Sequence, residues 1–176
     1  MILVDSSVWI AHLRGQRTQA TAKLEAVAGR EPLLIGDLIL LEVLQGARTE
    51  GHAARIERGL RRYTVVPLLS ADLAPRAARN YRRLRELGVT VRKTADIIIG
   101  TFCIENRHAL LHDDRDFVPM EQHLGLVVVS AAVASYHLDG ISGSLLPARL
   151  RGGASSGSRG GGRSGHSGGA PGAAES

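Results

Sequence analysis

The sequence predicts an α/β fold of three layers, with a central, mainly parallel sheet between helices. Three observations carry this expectation. Short apolar runs alternate along the chain with longer stretches of helical pattern, the order produced when strands are joined by crossover helices. Two of the runs, Ile-Leu-Val at 2–4 and Val-Val-Val at 127–129, are apolar throughout, as strands covered on both faces are. Acids also follow strand candidates: Asp5 comes straight after 2–4, and Asp113, Asp114 and Asp116 come just after 109–111. In open parallel sheets, ligands sit beyond those carboxyl ends.

Taken in order, residues 1–4 form the first strand, followed by helical pattern over about 8–14 and 18–28. The apolar patch 33–35 is either a strand or the lead-in to the next helix. Asp37 suits an N-cap for a helix over 38–48, which Gly46 and Gly51 help to end. A basic helix covers 52–62, and 64–67 has strand character. Residues 70–87 form a long helix closing at Gly88. Thr94 is placed to cap a helix to about Asn106, followed by a strand over 109–111, the aspartate loop, and a last strand over 126–129.

The chain has 176 residues, of which 44% are hydrophobic and only 3% aromatic. One domain with a core of Leu, Ile, Val and Ala is therefore expected. A single cysteine, Cys103, excludes an internal disulfide and a cysteine-based zinc site. Its apolar surroundings predict a buried, inert thiol. The opening MILVDSS lacks the basic and long apolar regions of a signal peptide, and no run of about 18 apolar residues suggests a membrane span. A cytoplasmic protein is the expectation. Net charge is +5, from 20 Arg and 2 Lys against 17 acids. Arginine suits phosphate partners, but a GC-rich coding sequence yields the same bias, so charge is weak support. Between residues 152 and 176 there are 10 Gly and 6 Ser without apolar periodicity. The chain thus divides into a folded domain over 1–138 and a flexible Gly/Ser/Arg-rich tail over 139–176.

Each acid has a structural and a chemical reading. Asp5 is a helix cap or a site residue. Glu42 interrupts an apolar helix, either as its one solvent-facing position or facing a wet cleft with Gln45 and Gly46. Asp96 in the first turn is explained by the macrodipole, yet the Ile97–Ile99 run behind it would aim an acid at any cleft there. Asp113, Asp114 and Asp116 fit a turn, but three carboxylates in four positions repel one another, and a cation would relieve that.

In their order, MILVDSSVWI, LLEVLQG and TADIIIGTFCIENRHALLHDDRDF resemble the PIN-domain fold, and within it the VapC-type ribonuclease toxins of toxin–antitoxin pairs. The resemblance spans about residues 1–130. It implies a catalytic set of Asp5, Glu42, Asp96 and Asp114, with Asp116 a supporting acid or further metal ligand and Asp113 a turn residue. It also implies an RNA substrate, a small antitoxin partner and a homodimer.

Hard oxygen donors without Cys or His suit Mg²⁺ or Mn²⁺. Asp5 and Asp96 are assigned as direct ligands, with Asp114 and Asp116 around them; Glu42 and Asp114 would act mainly through water on the nucleophile. Ser6 and Ser7 would line the site, and Arg14, Arg48, Arg92, Lys93 and Arg115 would draw in phosphates. His112, ending a strand, is read as packing or solvent-facing rather than as a base. Two rivals come from other classes. A phosphoacceptor enzyme or receiver is disfavoured by Ser7, which stands where a second acid is wanted, and by the lone Asp5. A catalytically silent RNA- or protein-binding module is disfavoured by the intact acids.

Overall fold

The protein's structure, a computed structural model, describes residues 1–130; the domain boundary expected at 138 and the tail expected over 139–176 lie outside them. The chain runs β1 (Ile2–Val4), α1 (Ser6–Leu13), α2 (Gln19–Val27), β2 (Leu33–Gly36), α3 (Asp37–Gln45), α4 (Glu50–Leu60), β3 (Thr64–Val66), α5 (Leu73–Glu86), α6 (Thr94–Asn106), β4 (Ala109–Leu111), a 3-10 turn (Arg115–Phe117) and α7 (Val118–Leu124). The four strands form one sheet in the order β3-β2-β1-β4, and every pairing is parallel. The expected α/β architecture is therefore present, with helices flanking a fully parallel sheet.

Burial explains the sheet. All residues of β1 and β2 are buried, so neither strand has a solvent face to mark with polar residues. That settles the open reading of 33–35: it is a strand, hydrogen-bonded between β1 and β3. The last strand expected over 126–129 is not formed. Only a single bridge joins Leu110 to Val128, and Val127 points to solvent at 61% exposure. Trp9, Leu3, Ile35, Ile99, Leu110 and Phe117 are fully buried and join one core that includes Cys103, whose thiol is pushed up to about 12 by burial.

Several helix ends differ from expectation for local reasons. Thr49 caps α4 by accepting from His52 N at 3.2 Å, so that helix starts at Glu50 and takes in Gly51. Ser70 accepts from Leu73 N at 3.1 Å, and α5 begins only there. Thr94 is the first residue of α6 rather than its cap, which makes Asp96 the third. Asp37 is likewise the first residue of α3. Its Oδ1 accepts from Leu38 N at 2.8 Å and from Leu68 N at 3.1 Å, tying α3 to the segment after β3. Helix α7 has no counterpart in the sequence reading; Pro119 in its first turn is tolerated there.

Two features set the position of α6. Asn80 of α5 donates to Thr101 Oγ1 at 3.0 Å, and Arg76 pairs with Glu105. At the end of β2, Gly36 lets the segment after β3 come close, since a Cβ there would collide with the Leu68 side chain. Leu68 is buried, so moving it aside would disturb the core around it. Gly36→Ala is expected to cost about 1–3 kcal/mol, as overpacked cores do. Urea unfolding measures it; an unchanged midpoint would show that Leu68 has room to move.

Candidate metal centre

The acids gather because the topology gathers their elements. Strands β1 and β4 are neighbours in register, Val4 beside Leu111, so the chain leaves both at the same sheet edge. Asp5 N donates to Leu111 O at 2.9 Å, fastening the two exits together. Asp5 is buried and caps α1, its Oδ2 accepting from Ser7 N at 2.9 Å and from Ser7 Oγ at 2.6 Å. The same hydroxyl accepts from Asp113 N at 3.1 Å. Ser7 thus clamps the aspartate loop to the β1–α1 turn.

The loop is held by its own acids and a ring. Asp114 Oδ1 accepts from Asp116 N at 3.0 Å, capping the 3-10 turn. Asp114 N lies 3.3 Å from His112 Nδ1, which accepts from it. The His112 ring rests on Phe117, centroids 4.9 Å apart. Burial holds the His112 pKa below its ordinary value, opposed by Asp5 and other acids. His112 is therefore a neutral packing group whose Nδ1 is already engaged.

Asp96 meets these residues from the first turn of α6. It is 4% exposed, and its Oδ2 is buried with no hydrogen-bond partner. One oxygen each from Asp96, Asp114 and Asp116 lie within 4.8 Å of one another. The Asp96 carboxyl is raised to about 6, first by burial and then by the carboxylates of Asp114, Asp5 and Asp116, against the pull of Lys93. Asp114 is shifted the other way, held below its ordinary value mainly by the Asp116 N–H. An unpartnered buried carboxylate oxygen among converging oxygens is what a hard cation satisfies.

The remaining predicted residues are placed less tightly. Among the described residues, Asp5 and Glu42 are outside that close group of three acids. Glu42 is half-buried on α3, and no described hydrogen bond or ion pair joins it to the others. Ser6 opens α1 beside Ser7. Arg14, Arg48, Arg92 and Arg115 are exposed, without a described bond to the acids. Lys93 is different: its Nζ lies 3.0 Å from Asp114 Oδ2. It is thus paired with a site acid as well as being one of the cations expected to draw in phosphates. Its partner Asp114 lies 21 residues further along the chain, so local spacing gave no sign of the contact. His112 packs on Phe117, one of the two readings its place at a strand end allowed; the anchoring role of Phe117 left no sign in the sequence, because it depends on ring packing.

Comparison with known proteins gives a concordant picture. The PIN domain family model matches residues 2–121. VapC ribonuclease Mb1587 of Mycobacterium bovis is 30% identical over 122 residues, covering 66% of this chain and 89% of the relative. Ribonuclease VapC11 of Mycobacterium tuberculosis matches with the same identity and coverage. In three dimensions the chain resembles VapBC2 from Rickettsia felis, solved bound to a DNA fragment from their promoter. The TM-score is 0.60 at 15% identity, over 73% of this chain and 98% of that one. At that identity the likeness is one of fold.

Proposed function

The chain belongs to the PIN-domain family, and from that membership we propose that it is a divalent-metal-dependent endoribonuclease, the toxin of a toxin–antitoxin pair, hydrolysing RNA phosphodiesters at the acidic cluster. The observation that carries the reading is the buried Asp96 carboxylate, which has one oxygen, Oδ2, without a partner and one oxygen within 4.8 Å of carboxylate oxygens of Asp114 and Asp116, at the carboxyl edge of a parallel sheet.

Asp96, Asp114 and Asp116 would hold Mg²⁺ or Mn²⁺, with Asp5 beside them as a further ligand. When bound, the ion supplies positive charge against the phosphoryl oxygens and acidifies the attacking water. The chain's own residues supply the rest. Ser7 fixes the Asp5 carboxylate and the loop in one arrangement. Glu42, half-buried on α3, orients or deprotonates the water. Ser6 lines the site, and the exposed Arg14, Arg92 and Arg115, with Lys93, draw phosphates toward a centre whose own charge repels them. Family membership supports a small antitoxin as partner and a second copy of the chain in a homodimer. Among the described residues no helix is long and apolar enough to cross a membrane; family membership is what supports a cytoplasmic site of action. The Gly/Ser/Arg-rich composition of 139–176 supports a tail outside the catalytic unit.

The test is cleavage of total RNA by purified protein with Mg²⁺ or Mn²⁺, beside a chelated control and the Asp5→Ala and Asp96→Ala variants. The wild type is expected to cut only with metal, and both variants to lose at least about 100-fold in rate. Equal cutting by all three proteins, or cutting that survives chelation, rules this centre out.

A further inference from the structure

Among the described residues, the positive group paired with the acidic cluster is the ammonium of Lys93. Its Nζ reaches Asp114 Oδ2 at 3.0 Å, and it also senses the charges of Asp96 and Asp116. These are the same three acids whose oxygens converge. The Lys93 side chain is 57% exposed in this pair, so the contact is made in a solvated setting where ion pairs are weak and readily exchanged.

The choice of residue is informative. The chain has 20 arginines and only two lysines, Lys23 and Lys93. Lys23 donates to Val129 O at 2.9 Å, away from the acids. A chain that uses arginine nearly everywhere therefore sets a lysine against Asp114. An arginine fork would grip the carboxylate through two parallel bonds. A lysine is a compact point charge on a flexible stem, able to neutralise a carboxylate and release it.

Resting on the reading of this cluster as a metal centre, we propose that Lys93 is a positioning residue, a resident cation that holds Asp114 and yields it to the divalent ion. By competing for Asp114 it sets how tightly the centre binds that ion. Released from Asp114, the ammonium stays at the rim of the site, where a substrate phosphate is its next partner.

Calorimetric titration of the full chain with Mn²⁺, without RNA, tests this on the wild type, Lys93→Met and Lys93→Arg. Loss of the competing charge in Lys93→Met is expected to tighten binding roughly 3- to 10-fold. The firmer grip of Lys93→Arg is expected to weaken it by a similar factor. A residue with a merely structural role would not move affinity in opposite directions for the two substitutions. Lys93→Gln, matching Lys93→Met, guards against a folding defect of the latter. No change in any variant, or shifts of the same sign in Met and Arg, overturns the proposal for Lys93 alone. A wild type that binds no Mn²⁺ overturns the metal centre, and the proposal with it.

Discussion

Replacing Asp96 by Asn is expected to stabilise the metal-free protein while removing its metal-dependent activity. In the fold the Asp96 carboxyl is raised to about 6 by burial and by the neighbouring acids, against about 3.9 in an unfolded chain. A carboxyl raised on folding adds stability below its unfolded pKa, and that contribution is lost as pH climbs through the folded value. Through Asp96, metal-free wild type therefore loses stability between about pH 4 and about pH 6, and that contribution stays at the lower level above it. A shift of about two units corresponds to roughly 3 kcal/mol as an upper figure. An amide in the same buried place is neutral at every pH and lacks a partner much as the protonated carboxyl does. At pH 8 in chelator, Asp96→Asn should thus melt several degrees above the wild type, and at pH 4 the two should coincide. Adding Mg²⁺ should raise the wild-type melting temperature but leave the variant nearly unmoved, with cleavage down at least about 100-fold. A variant less stable than the wild type at pH 8 in chelator would show that the carboxylate is satisfied within the protein.

The second large effect is expected at Phe117. This residue is fully buried, closes the 3-10 turn that begins one residue after Asp114, and supports the His112 ring. Phe117→Ala removes a buried aromatic and leaves a cavity, a change that costs about 3–5 kcal/mol. Urea unfolding should show a large fall in midpoint with little change in slope. Because Asp114 and Asp116 lie between His112 and this anchor, amide exchange over 112–117 should also rise well below the unfolding transition. A loss under about 1 kcal/mol, with the loop still protected, would mean that Ser7 and the loop's own hydrogen bonds suffice to hold it.

Much of the site could be read from the sequence because its acids break local rules. Asp5 ends a fully apolar strand, Asp96 stands before three isoleucines, and three aspartates crowd into four positions. Such placements cost solvation or repulsion, and that cost is visible without coordinates. Other features carried no comparable signal. The run at 33–36 is too short for periodicity to separate a strand from a buried helix lead, and its pairing on both sides decides the matter. The run at 126–129 has the composition of a strand, but it forms only one bridge to β4. Thr94 has the chemistry of a cap and stands one residue too late to act as one.

The sequence by itself determined the α/β class and the parallel sheet, and it marked out the candidate acids, because hydrophobic patterning and the cost of misplaced charge are local properties. Tertiary structure decided which acids converge. Asp96, Asp114 and Asp116 meet because β4 lies beside β1 and the α6 start comes against their common edge. It also decided that Lys93 turns toward Asp114, and that Ser7 bridges Asp5 to a loop 106 residues away. These are contacts between distant parts of the chain, fixed by how strands pair and helices pack.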